Sequence, residues 1–133
     1  MKKMSFVKFA MITLFLSIAV LACNKEKHDP PAPVIEGKFV GAYGFNNDIP
    51  SIFFSLNFKP GGVIEELDDA GQLKGTGNYQ VSGNILTAHY TWTTGTEFSI
   101  RATYNQSVSE LVNGTWGWND SFTDGGTWSM QKQ

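Results

Sequence analysis

Two histidines, His28 and His89, are the only imidazoles in the chain, and they stand in different surroundings. His28 sits between a short charged run and a cluster of prolines, whereas His89 interrupts an alternating apolar segment. A zinc site needs three or four clustered ligands, and neither histidine has another nearby. Asp120-Ser121-Phe122-Thr123-Asp124-Gly125 has the outline of a calcium loop. However, Phe122 occupies a ligand position, and Gln131 stands where the bidentate Glu belongs. Glu65-Glu66 with Asp68-Asp69 reads as a solvated acidic hairpin. A serine nucleophile needs a base and an orienting group, and no Gly-x-Ser-x-Gly elbow is present. The expectation is a protein that is not an enzyme, with no catalytic residues, no metal and no cofactor.

The aromatic residues are more informative. The segments that alternate apolar and polar side chains place every Tyr and every Trp on one parity, the apolar one. Rings of this kind bury large area but need a partner for their polar tip, and together they can line a ligand cavity. Tyr43, Tyr79, Tyr90, Trp92, Tyr104 and Trp116 are the candidate ligand-binding residues; Trp118 and Trp128 share their face. The competing reading is that the same rings fill the interior, because an eight-stranded barrel is just wide enough for side chains or one small ligand.

The elements that must position these rings are strands. Apolar runs alternate with turn signals at about ten-residue spacing, the mark of an all-β domain. Strands are predicted over 37–45, 51–59, 62–67, 73–81, 84–93, 96–104, 109–118 and 125–131. Pro60-Gly61-Gly62, Asp68-Asp69-Ala70-Gly71, Ser82-Gly83-Asn84 and Thr94-Gly95 supply turn chemistry between them. Ile52, Phe54, Leu56 and Phe58 oppose Ser51, Ser55 and Asn57. Phe98, Ile100, Ala102 and Tyr104 oppose Glu97, Ser99, Arg101 and Thr103. Val112, Trp116 and Trp118 oppose Asn113 and Thr115. One dry and one wet face imply an antiparallel sheet. Eight strands with short loops predict an up-and-down barrel, with a two-sheet β-sandwich as the alternative. Glycines inside strands, such as Gly41, Gly77 and Gly114, favour the barrel because tight coiling needs bulges and bends.

Composition agrees with a folded domain: 41% of residues are apolar and 17% charged, the opposite of a disordered chain. All 12 acidic residues follow Cys23, whereas Lys2, Lys3 and Lys8 precede it. Seven basic residues therefore face 12 acidic ones after Cys23, and no basic patch exists to neutralise phosphates. Nucleic acid is excluded as a partner. The one Cys cannot form an internal disulfide.

Met1–Lys8 is a basic head and Phe9–Ala22 an apolar run, shorter than the roughly 20 residues that a spanning helix needs. This is the layout of an export signal. Val20-Leu21-Ala22-Cys23 resembles the lipobox of bacterial lipoproteins, which implies cleavage before Cys23 and lipidation of its thiol. Asn24-Lys25-Glu26-Lys27-His28-Asp29-Pro30-Pro31-Ala32-Pro33 then reads as a charged, semi-rigid tether. The resulting division is a signal peptide over 1–22, lipidated Cys23 and tether over 23–34, and a β-barrel over 35–133. By resemblance to Gram-negative sorting, Asn24 implies the outer membrane, reached through the lipid anchor.

Phe58-Lys59-Pro60-Gly61-Gly62, Gly75-Thr76-Gly77-Asn78-Tyr79, Gly114-Thr115-Trp116-Gly117 and Gly125-Gly126-Thr127-Trp128 resemble small lipocalin-like lipoproteins of Gram-negative bacteria. The Gly-Thr-Trp steps are also similar to those of avidin-type barrels. The first resemblance implies a non-catalytic binding module for a small apolar or amphipathic ligand. The alternative is a structural or interaction protein of the cell envelope with a filled barrel. It would meet an envelope protein through an exposed apolar patch, for which Val40, Phe53 and Phe122 are the candidates.

Overall fold

The computed structural model describes residues 29–133; the expected signal peptide over 1–22, Cys23 and His28 lie outside them. Eight strands follow in order: β1 (Gly37–Phe45), β2 (Ile52–Lys59), β3 (Val63–Leu67), β4 (Leu73–Ser82), β5 (Ile85–Trp92), β6 (Glu97–Asn105), β7 (Glu110–Trp118) and β8 (Gly126–Lys132). Every boundary lies within one residue of its sequence expectation. The turns explain this accuracy, because they are written locally. After Pro60, for example, Gly61 and Gly62 take φ of 81° and 77°, which costs a glycine nothing.

Each strand pairs antiparallel with the next, and β1 pairs with β8 from Phe39↔Lys132 to Phe45↔Gly126. The sheet is thus a closed eight-stranded up-and-down barrel, consistent with a lipocalin-like fold, and the sandwich alternative falls. Closure leaves no strand edge unpaired. The topology also gives the barrel two distinct ends. The β1–β2, β3–β4, β5–β6 and β7–β8 turns surround one end, called the mouth. The other three turns and the entering chain surround the base.

The interior is packed from base to mouth. Phe39, Leu56, Ile64, Leu86, Ile100 and Leu111 are fully buried, each such side chain contributing about 1.5–3 kcal/mol on leaving water. Ile35 stoppers the base, where the Tyr79 hydroxyl donates a 2.7 Å hydrogen bond to its carbonyl. Phe58 stands edge-on to both Phe39 and Tyr79, with ring centres 5.3 and 5.1 Å away.

Strand β7 departs from its predicted alternation. Leu111, not Val112, is buried; Val112 faces outward and is half-buried. The cause is a β-bulge. The ladder with β8 shifts between Leu111 and Gly114, and that with β6 shifts between Arg101 and Thr103. Asn113 takes φ of 53° at the extra residue. One added residue reverses the facing of everything on its far side. Trp116 and Trp118 keep the interior parity, yet Trp118 ends the strand at the mouth and stays exposed. Ile52, at the mouth end of β2, is exposed for the same reason. Two of the outer-face serines, Ser55 and Ser99, are instead buried.

Gly114 makes the bulge possible. The Trp128 indole lies over it and donates a 2.8 Å hydrogen bond to the Thr115 carbonyl. A Cβ on residue 114 would fall 2.4 Å from the Trp128 carbonyl oxygen and 2.5 Å from its Cδ2. Overpacking of this kind costs about 1–3 kcal/mol. Gly114→Ala should therefore lower the unfolding free energy by that amount, read as a lower urea midpoint with an unchanged m-value; an unchanged midpoint would show that β7 and β8 shift freely to admit the Cβ.

Candidate functional site: the aromatic mouth

Odd strands finish and even strands begin at the mouth, so aromatic residues at those positions gather there. Phe45 closes β1, Trp92 closes β5, Trp118 closes β7 and Phe98 stands second in β6. Together with Tyr43, Phe54 and Trp116 they form an apolar cup of about 40 Å³. Trp116 is its hub. Its ring meets Tyr43 at 5.7 Å, Phe45 at 5.3 Å and Trp118 at 5.2 Å, all edge to face. This is the geometry that the ring quadrupole favours. The Trp116 Nε1–H donates to the Gly44 carbonyl at 3.0 Å, so the hub has no unmet polar group.

Beside the cup lies a charge that the sequence expectation put in water. Glu66 is buried, with only 3% of its surface exposed. The reason is parity: Ile64 and Glu66 both face inward, and Glu65 faces out. The Glu66 carboxylate accepts from Lys74 Nζ at 2.7 Å and from Trp92 Nε1 at 2.6 Å. The Lys74 ammonium also stands 4.4 Å from the centre of the Trp92 ring. Trp92 is thereby fixed through its N–H by an anion and over its face by a cation. Below them Tyr90 stacks on Phe98 at 5.5 Å. Burial and the neighbouring Glu66 carboxylate push the Tyr90 hydroxyl well above the ordinary tyrosine range.

The six predicted ligand residues do not make one lining. Tyr43, Trp92 and Trp116 meet in the cup, and Tyr90 lies beneath it. Tyr79 and Tyr104 belong to the base, held by the Ile35 carbonyl and by Phe39. Phe45, Phe54, Phe98 and Trp118 join the cup, and Glu66 stands beside it. The available signal was positional: ends of odd strands and starts of even ones converge in any up-and-down barrel. Small-molecule pockets measure roughly 300–1,000 Å³, so a cup of about 40 Å³ accepts the tip of a group and encloses no ligand. The interior is filled.

His89 lies exposed on the outer wall and has a partner there. Its Nδ1 lies 2.7 Å from Ser99 Oγ, and the Ser99 hydroxyl donates to the Asn119 carbonyl. A hydroxyl has one proton to give, so the Nδ1–H must donate to Ser99. Phe122 covers the imidazole at 5.2 Å. The pair fastens the β7–β8 turn to the wall, with Ser99 buried and its proton committed. In that turn Asp124 Oδ1 accepts from the Trp118 N–H at 2.9 Å. Among the described residues no three His, Cys, Asp or Glu side chains stand close enough to share a metal ion.

The Tyr90 shift has a testable consequence. The folded state keeps a proton that an unfolded tyrosine loses near pH 10, so this contribution is complete below about pH 10 and declines above it. Urea unfolding across pH 8–11.5 should show stability falling above about pH 10, with a shallower fall in Tyr90→Phe. Equal slopes in the two proteins would mean that Tyr90 titrates normally. Compared with known proteins, the chain matches no protein-family model, no curated protein and no solved structure.

Proposed function

We propose that this protein is a lipid-anchored, non-catalytic binding module of the bacterial outer membrane that holds an amphipathic ligand across the barrel's mouth. One observation carries the reading. Of the eight large apolar side chains exposed among the described residues, six surround the mouth: Phe45, Ile49, Ile52, Phe53, Leu73 and Trp118. Only Val34 and Val108 lie toward the base. Scattered apolar residues need no explanation, but a concentrated patch marks an interaction site. Of the patch candidates, Phe53 belongs to this rim; Val40 is half-buried on the wall, and Phe122, in the β7–β8 turn, is half-buried against His89.

The direction of the chain supports the same reading. Residues 31–36 enter at the base, where Ile35 is buried, so the entering chain leaves the mouth uncovered. The filled interior favours a ligand laid over the rim, and it equally suits a docking protein of the envelope that uses the same surface.

Two measurements test this. Radiolabelled palmitate should enter the wild-type chain in a Gram-negative host and not Cys23→Ser; label in both would remove the anchor. Octyl glucoside below its micelle concentration should blue-shift the tryptophan emission as Trp118 leaves water. Trp118→Ala should abolish that shift and weaken binding about tenfold, the scale of a central aromatic contact. An identical shift in the variant would place binding away from the mouth.

A further inference from the structure

The rim that carries the proposed function is apolar, but its surroundings carry charge of one sign. The four mouth turns and adjoining strand ends present Asp48, Asp68, Asp69, Glu97, Asp120 and Asp124. Their sole basic residue is Lys74, and it is already bound to Glu66 at 2.7 Å. The base is balanced by comparison: Lys38, Lys59 and Lys132 accompany Glu36, Glu65 and Glu110, with Lys59 paired to Glu65.

We infer that the mouth is built for a cationic amphipathic peptide segment, whose apolar face covers the aromatic rim while its Lys or Arg side chains meet the encircling carboxylates. This inference rests on the reading of the mouth as the binding face and adds the chemistry of the partner. Three features select that chemistry. The cup of about 40 Å³ admits one side-chain tip, while the exposed rim around it needs a broader partner to leave water. Opposed potentials across an interface speed encounter and reject partners of the wrong sign. The wall of the cup, moreover, already receives one cation, since the Lys74 ammonium packs over Trp92. An ammonium or guanidinium from a partner finds the same ring chemistry at Trp118 and Phe45.

The alternatives fit less well on the same observations. A fatty acid would need a cation for its carboxylate, and Lys74 is neutralised by Glu66. An anionic lipid surface would face six carboxylates at short range.

The test uses the full chain in phosphatidylcholine nanodiscs, with protein-free discs subtracted. Three helical peptides of about 14 residues, enough for a full apolar stripe, share a leucine face and carry Lys, Ser or Glu on the other. The Lys peptide should bind at least about tenfold tighter than the Ser peptide, and the Glu peptide weakest. Raising NaCl from about 20 to about 500 mM, which shortens the screening length severalfold, should collapse the order. Asp48→Asn, Asp69→Asn, Glu97→Gln and Asp120→Asn combined should bring Lys-peptide binding down to the Ser-peptide level. Trp118→Ala should weaken all three. If the Lys and Ser peptides bind the native protein alike, or salt leaves their order intact, the charge inference fails and the mouth remains a binding face. If none of the peptides binds and octyl glucoside does not either, the mouth reading itself fails. Phosphatidylglycerol vesicles retaining the native protein better than phosphatidylcholine ones would overturn the peptide in favour of a membrane surface. The salt series on the native protein decides the charge question even if the quadruple variant does not fold.

Discussion

The pairing of β1 with β8 is the contact on which the rest of the molecule depends. It joins the first and last strands, from Phe39↔Lys132 to Phe45↔Gly126, and converts a curved sheet into a cylinder. Without it the inward side chains would have no opposite wall, and two long edges would stand open to other chains. The closing contact is also distant in sequence, so its loop-closure entropy must be met before the interior can reward it. The glycines serve that closure. At Gly41 and Gly77 the neighbouring strand passes where a Cβ would otherwise sit, and at Gly114 a bulge turns β7 back into register.

Closing a barrel of this size decides where function can reside. Large rings and aliphatic side chains occupy the interior down to the Ile35 stopper, and the apolar cup that remains lies at the mouth. The two ends are not equivalent. Tyr79, Phe58 and Phe39 pack the base against the entering chain, while the mouth leaves apolar side chains in water. Exposed apolar surface of that kind stabilises nothing in the isolated domain. Its concentration at one end is what sets the mouth apart from the rest of the surface.

The Glu66–Lys74–Trp92 cluster is the most costly feature of that end. Burying a carboxylate carries a desolvation penalty of several kcal/mol, which a single ion pair repays only with good geometry and further hydrogen bonds. Both conditions hold, with Lys74 at 2.7 Å and the Trp92 N–H at 2.6 Å. Leucine at position 66 would pack the wall without that penalty but would leave the Trp92 N–H without its acceptor. The cluster gives the cup one rigid ring and leaves the acidic surround unneutralised.

Taken by itself, the sequence determined what is local. Turn positions, strand limits and the in–out alternation of most strands depend on neighbours within a few residues, and Gly, Asn and Pro announce them directly. Closure into a barrel was legible too, because eight strands with short loops leave few other ways to remove the edges. Only the tertiary structure decided what depends on sums around the barrel. Alternation is a running count, so the extra residue at Asn113 exchanged Leu111 for Val112 with no mark in composition. Glu66 carried the same letter as Glu65, and only the facing of β3 across from Trp92 made one a surface charge and the other a buried anchor. The filled interior is a difference between two large volumes, and the division of the aromatic residues between mouth and base follows from strand direction. Both exist only once distant strands have met.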